Sequence, residues 1–232
     1  MNRKKFLVVS PHPDDAELAI GGIIIRLRQQ NHQVFLVDLT SGEPTPHGSG
    51  EKRKLETEAA SRVLDVRKRI NLDLPNRYLF DTRESRMLLA EQIRLFRPDA
   101  LLCPAPQDSH PDHIATSSIT LGARFYSKYH TDEMKGEPFY PPVLLQFFCT
   151  HLRISPEFSF LIDISAQFDQ KIEAVKCYQS QFVDNKKNLF VFDIIRNRAA
   201  YYGSLIGTDY AEPLLSTEAL RGDLLLNLNP DS

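Results

Sequence analysis

The chain has 232 residues, 42% hydrophobic and 25% charged, with 28 basic against 30 acidic side chains and a formal charge of -2. That balance excludes a disordered, collagenous or coiled-coil chain, and it lacks the basic surplus of a dedicated nucleic-acid binder. No apolar run approaches the roughly 20 residues of a membrane span. The three cysteines, Cys103, Cys149 and Cys177, are odd in number and far apart, so the expectation is a reduced protein of the cytoplasm rather than a disulfide framework.

Elements alternate along the first half. Phe6 to Val9 is a short apolar run preceded by basic residues. It is too short for a signal-peptide core and reads as a buried strand. Asp15 to Gln30 places Leu18, Ile20, Ile23, Ile24 and Leu27 at helical spacing despite Gly21-Gly22. Those glycines are not part of a GxGxxG, so they predict close packing of helix on sheet rather than a dinucleotide site. Val34 to Leu39 is a second strand, Thr40 to Gly50 a loop, Glu51 to Val66 an amphipathic helix and Arg69 to Leu74 a third strand. Arg83 to Phe96 is a helix closed by Arg97-Pro98, and Ala100 to Cys103 is a fourth strand. This alternation predicts an α/β fold: a Rossmann-like, mostly parallel sheet flanked by helices.

The second half is less regular. Helices are expected over Asp112 to Tyr129, Gln167 to Phe182 and Ile194 to Leu205, with a polar loop over Thr131 to Pro142. Strands are expected over Val143 to Cys149 and Ser159 to Ile164, the latter at an edge or in a small extra sheet. No boundary divides the chain, so residues 1–232 are read as one domain with an irregular C-terminal part.

Ligands of open α/β sheets sit beyond the carboxyl ends of the strands. Strand 1 runs into His12-Pro13-Asp14-Asp15-Ala16-Glu17, strand 2 into Thr40-Ser41-Gly42-Glu43 and strand 4 into Asp108-Ser109-His110-Pro111-Asp112-His113. Two His-Pro-Asp tripeptides therefore share one rim. Singly, such a tripeptide reads as a helix cap; two of them, each directly after a parallel strand, read as a metal site. Imidazole and carboxylate together suit zinc or another borderline divalent ion. His12, one of Asp14 and Asp15, and one of His110 and His113 would supply three ligands. The metal would lower the pKa of its water from 15.7 toward about 7, and the other carboxylate would take the proton as general base.

Pro11 to Glu17 with Gly21-Gly22, followed by His110-Pro111-Asp112-His113, resembles the two signatures of the LmbE/PIG-L metal-dependent N-deacetylases. The resemblance extends through Leu39 to Glu43, Arg53 to Leu64, Lys171 to Phe182 and Arg198 to Glu212. It implies His12, Asp15 and His113 as zinc ligands, with ferrous iron or another divalent ion as substitutes. It implies Asp14 as general base, His110 as oxyanion stabiliser or acid to the leaving amine, and Asp112 as the group orienting His110. Arg53 falls at a substrate-binding position; Glu17 and Ser41 are weaker candidates for substrate contact. The implied substrate is a soluble amino-sugar conjugate of the N-acetylglucosamine type, with no membrane or nucleic-acid partner, and a homo-oligomer is expected from the family alone.

Tyr178 stands where the family often has histidine, which raises the question of whether it shapes the pocket. His47 reads as a solvated loop residue, Tyr201, Tyr202 and Tyr210 as packed rather than sugar-stacking, and Arg62, Arg67, Lys68 and Arg69 as a solvated basic surface. The rivals are a non-haem iron oxygenase, disfavoured by the α/β pattern, and a non-catalytic sugar-binding protein on a deacetylase scaffold, disfavoured by the intact ligand set and Asp14.

Overall fold

A computed structural model describes residues 3–45, 48–149, 151 and 156–220. His47 lies outside them. Among the described residues one seven-stranded sheet runs in the order β3 (Lys68–Leu74), β2 (Gln33–Thr40), β1 (Lys5–Ser10), β4 (Ala100–Pro104), β5 (Val143–Phe147), β7 (Ala211–Leu215), β6 (Phe160–Asp163). Strands β1 to β5 are mutually parallel. Helices α1 (Asp15–Gln29), α2 (Gly50–Val63), α3 (Arg83–Phe96) and α4 (Pro111–Tyr126) make the crossovers. The chain order reverses between β1 and β4, which is where a crevice opens in such sheets.

Alternate residues of each central strand serve opposite faces, as a period of two requires. Leu7, Val9, Val37, Leu39, Leu101 and Cys103 join the core under α3 and α4. Val8, Leu36 and Leu102 join the other core, which also contains residues of α1, α5 (Phe168–Lys176) and α6 (Phe190–Ile206).

The C-terminal part departs from the sequence reading in two places. Ala211–Leu215 forms a strand, β7, that periodicity did not reveal in a five-residue run containing Pro213. It pairs antiparallel with β5 and with the edge strand β6 (Phe160–Asp163), so β6 belongs to the main sheet and not to a separate one. The helix expected over Gln167 to Phe182 ends at Lys176 and resumes as a π-turn over Gln179–Val183. Glu56 accounts for the break, because its carboxylate accepts hydrogen bonds from Ser180 N (2.7 Å) and Ser180 Oγ (2.8 Å).

Helix α1 is bent at Ile20 (φ -133°, ψ 24°), which separates its first turn from the rest. The amides just beyond the bend go to a buried carboxylate: Gly22 N donates to Glu212 Oε1 (3.1 Å) and Ile23 N to Glu212 Oε2 (2.7 Å). Lys171 Nζ balances the charge at 2.5 Å. A Cβ on Gly22 would stand 2.7 Å from Ile164, so glycine is needed there for close approach. The partner is Ile164, the residue that follows β6 at the edge of the sheet.

Candidate metal centre and active site

The first turn of α1 presents Asp14 and Asp15 at the carboxyl end of β1. Asp14 occupies φ 114°, a region costly for a residue with a Cβ, and its side chain makes no capping bond to the helix. The capping explanation therefore fails for Asp14. It holds for His110, whose Nδ1 accepts from Asp112 N (3.1 Å) at the start of α4. That bond fixes the neutral tautomer: the ring proton sits on Nε2. Both tripeptides meet at the β1/β4 crevice, with the His12 and His110 ring centroids 5.0 Å apart.

One donor atom each from His12, Asp15 and His113 lies within 4.8 Å of the others. Asp15 Oδ2 is the hub, 2.9 Å from His12 Nδ1 and 3.3 Å from His113 Nε2. Behind each imidazole stands a second carboxylate. His12 Nε2 lies 3.0 Å from Asp112 Oδ2, and His113 Nδ1 lies 3.1 Å from Asp108 Oδ2. Metal-binding histidines are held this way, their far nitrogen oriented by a carboxylate. Buried His113 has no well-directed hydrogen bond at either ring nitrogen, although carboxylates lie close to both. These observations fit a divalent cation among His12, Asp15 and His113. The atoms of His12, His110 and Asp112, and those of Asp108, His113 and Cys149, also converge within 4.8 Å. Their carboxylates are otherwise engaged, however. Asp112 accepts from Arg77 N and Leu79 N, and Asp108 from His110 N.

The electrostatics follow from this crowding. Burial opposes ionisation of Asp15, but His113 and His12 hold its carboxyl well below the usual carboxylate range. Burial likewise opposes protonation of His12, yet Asp112 and Asp15 raise it to about 9. A bound cation displaces such protons. Burial pushes Asp14 up to about 7 against the pull of Arg53. Burial and the neighbouring histidines lower His110 to about 4, so it stays neutral near pH 7.

Arg53, buried on α2, ties the second-strand loop to this centre. Its Nη1 donates to Asp14 Oδ2 (2.7 Å) and Pro13 O (2.9 Å), and its Nε faces Glu43 Oε1 at 3.4 Å. Gly42 (φ 73°) lets the loop pass, since a Cβ there would lie 3.3 Å from Pro13. A cavity of about 680 Å³ opens over the cluster. His12, Asp14, Asp15, His110 and Arg53 line its floor, with Thr45, Asn76, Arg77 and Gln181 as polar wall and Leu18, Phe182, Phe190 and Ile194 as apolar wall.

Several expectations meet a different placement. Asp112 reaches His110 through its amide, while its carboxylate serves His12. Glu17 is fully buried behind the site, bonded to Arg69 Nη1 (2.6 Å) and Tyr178 Oη (2.9 Å), and does not line the cavity. A buried carboxylate with two partners is a packing element, out of reach of substrate. Ser41 lines a neighbouring cavity beside Asp38 and Arg69 instead of this one. Arg69 is no solvated cation: it is buried against Asp38 and Glu17. Tyr178 is fully buried and absent from the cavity wall, so its departure from histidine does not touch the pocket surface. Tyr210 stacks on Phe168 at 3.8 Å, and Tyr201 and Tyr202 line an adjoining cavity of about 300 Å³ that shares Leu18, Ile194 and Arg198 with the first.

The sequence reading gave no role to Asp108 or His151. His151 follows the carboxyl end of β5 and lines the cavity. Extending the strand-end rule from the first, second and fourth strands to the fifth would have found it.

The profile of the family described as GlcNAc-PI de-N-acetylase, PIG-L, matches residues 7–124, which include both His-Pro-Asp tripeptides. The chain belongs to the PIG-L family. A diacetylchitobiose deacetylase of Thermococcus kodakarensis is 30% identical over 223 residues, covering 90% of this chain and 81% of that protein. Among solved structures, a conserved protein of Thermus thermophilus superposes with a TM-score of 0.86 at 36% identity, covering 94% of this chain and 96% of the other. The N,N'-diacetylchitobiose deacetylase of Pyrococcus horikoshii gives 0.78 at 26%, covering 99% and 88%. A hydratase of Pseudomonas putida shares the fold at 20% identity (TM-score 0.75; 94% and 98% covered). Architecture alone therefore does not choose the reaction; the residues on the rim do. Family membership and relatives that hydrolyse amides make this chain an enzyme of the amide-hydrolase type.

Proposed function

We propose that the protein is a zinc-dependent deacetylase that removes the N-acetyl group of a small N-acetylglucosamine-type conjugate. The observation that carries the reading is the convergence of His12, Asp15 and buried His113 within 4.8 Å, next to a cavity lined by His12, Asp14, Asp15 and His110. A divalent cation held by His12, Asp15 and His113 would supply a Lewis acid and an acidified water.

The chain's own groups account for the remaining chemistry. Asp14 has one oxygen, Oδ2, fixed by Arg53, while Oδ1 has no hydrogen-bond partner among the described residues. Oδ1 is therefore the atom that accepts the proton as the water's oxygen joins the carbonyl carbon. His110 Nε2–H donates to the amide oxygen as that oxygen gains charge, a preorganised contact of the kind worth about 3–4 kcal/mol. Breakage of the C–N bond sends the proton held on Asp14 to the departing amine, leaving acetate and a free amino sugar. The lining suits a sugar, since it combines donors and acceptors for hydroxyl groups with apolar side chains. The diacetylchitobiose deacetylase relatives support an N-acetylglucosamine-containing disaccharide as the first substrate to try.

The test is acetate release from N,N'-diacetylchitobiose and N-acetylglucosamine conjugates, with metal content measured on the same sample. Release that chelation abolishes and zinc restores supports the reading. A metal-free protein that binds these sugars without releasing acetate refutes it in favour of a binding scaffold.

A further inference from the structure

We propose that His151 is a further substrate-contacting residue of this site, hydrogen-bonding the substrate beside the scissile amide. The inference rests on the deacetylase reading above and deepens it. His151 is exposed at the cavity, and its ring centroid lies 5.5 Å from both that of His110 and that of His113. Its backbone is fastened to the second tripeptide, since Ser109 Oγ donates to His151 O at 2.6 Å. His151 is thus tied to the loop after β4, with its ring beside those of His110 and His113.

Its chemistry differs from that of its neighbours. His12 and His113 have carboxylates at both ring nitrogens, and His110 Nδ1 is occupied by the Asp112 amide. Neither ring nitrogen of His151 has a hydrogen-bond partner among the described residues, and the ring is not one of the groups that converge for a metal. A neutral imidazole with both nitrogens free offers one donor and one acceptor. His110, with a fixed Nε2–H, can only donate. An acceptor next to it answers a different need, which is to receive a hydrogen bond from the substrate's amide N–H or from the hydroxyl adjacent to it on the sugar. Geometry held within hydrogen-bond reach of the reacting bond is what turns binding into rate.

The test compares wild type with His151→Ala and His151→Gln in the zinc-loaded enzyme on an N-acetylglucosamine conjugate and on its 3-deoxy analogue. Expected is a fall in kcat/KM of about 10- to 100-fold for His151→Ala, with zinc content and affinity unchanged and partial recovery in His151→Gln, whose amide can still accept. A penalty that persists on the 3-deoxy substrate assigns the contact to the amide; one that disappears assigns it to the hydroxyl. A His151→Ala enzyme as active as wild type, or one whose loss follows lost zinc, overturns the proposal. If wild type itself releases no acetate, the deacetylase reading fails instead.

Discussion

Replacing Glu212 with leucine tests the reasoning about α1 where the structure supplies the magnitude. Glu212 and Lys171 have side chains only 2% and 3% exposed and meet at 2.5 Å, so the leucine strands a buried ammonium. Breaking one side of a buried pair costs about 3–5 kcal/mol. The same change removes the acceptor of Gly22 N and Ile23 N, each worth a further ~1–3 kcal/mol where solvent cannot replace it. These terms overlap, so about 3–5 kcal/mol is the floor, a large share of the roughly 5–15 kcal/mol of a typical domain. The corresponding drop in Tm is about 6–20 °C. Urea denaturation in the presence of a chelator reads the loss without the contribution of metal binding to the native state. Pairing Lys171→Met with Glu212→Gln should recover most of it, because the ammonium is gone and the glutamine oxygen still accepts one amide. A loss below about 1 kcal/mol for Glu212→Leu, or a double variant no better than Glu212→Leu, would refute the account of the bend in α1.

Asp14→Asn should retain zinc and lose kcat by roughly 10²-fold or more, the usual scale for a missing base; steady-state kinetics beside metal analysis checks this, and full activity would sink the assignment. His113→Ala should instead lose zinc affinity, read by chelator competition, because it removes a buried nitrogen facing Asp15. Tyr178→Phe should cost about 1–3 kcal/mol through its lost bond to the buried Glu17 carboxylate, yet leave KM unchanged, since Tyr178 does not reach the cavity. Asp99 gives a pH dependence. Burial opposes its ionisation, but the Lys5 amide and the Lys4 ammonium lower its pKa overall. Its contribution is therefore present above the unfolded carboxylate value of about 3.9 and fades as pH falls through the lower folded value. Asp99→Asn should flatten the acid limb of a stability-against-pH curve measured by urea midpoints; an unchanged limb would contradict it.

The parallel half of the sheet was legible in the sequence, because β1 to β4 are apolar runs separated by amphipathic helices, and both patterns are local. The sequence also placed the two His-Pro-Asp tripeptides on one rim. The ligand-bearing residues follow strands directly, and the parallel topology brings all strand carboxyl ends to one edge. Which carboxylate does what was decided only by tertiary structure. Asp14 and Asp15 are adjacent in sequence, and a φ of 114° at Asp14 turns one toward Arg53 while the other faces His12 and His113. Asp112 acquired His12 in the same way, across 100 positions, through the approach of the β1 end to α4. Glu17, Arg69 and Tyr178 look like rim or surface chemistry as letters, yet in the interior Arg69 neutralises Glu17, and Tyr178, 161 positions away, donates a hydrogen bond to the same carboxylate. Strand β7 and the Glu212 carboxylate under α1 were invisible for the same reason. The amides that Glu212 accepts from lie 189 and 190 residues away, and β7 pairs with the separate segments β5 and β6; non-local pairing of this kind leaves no periodicity in the segment that makes it.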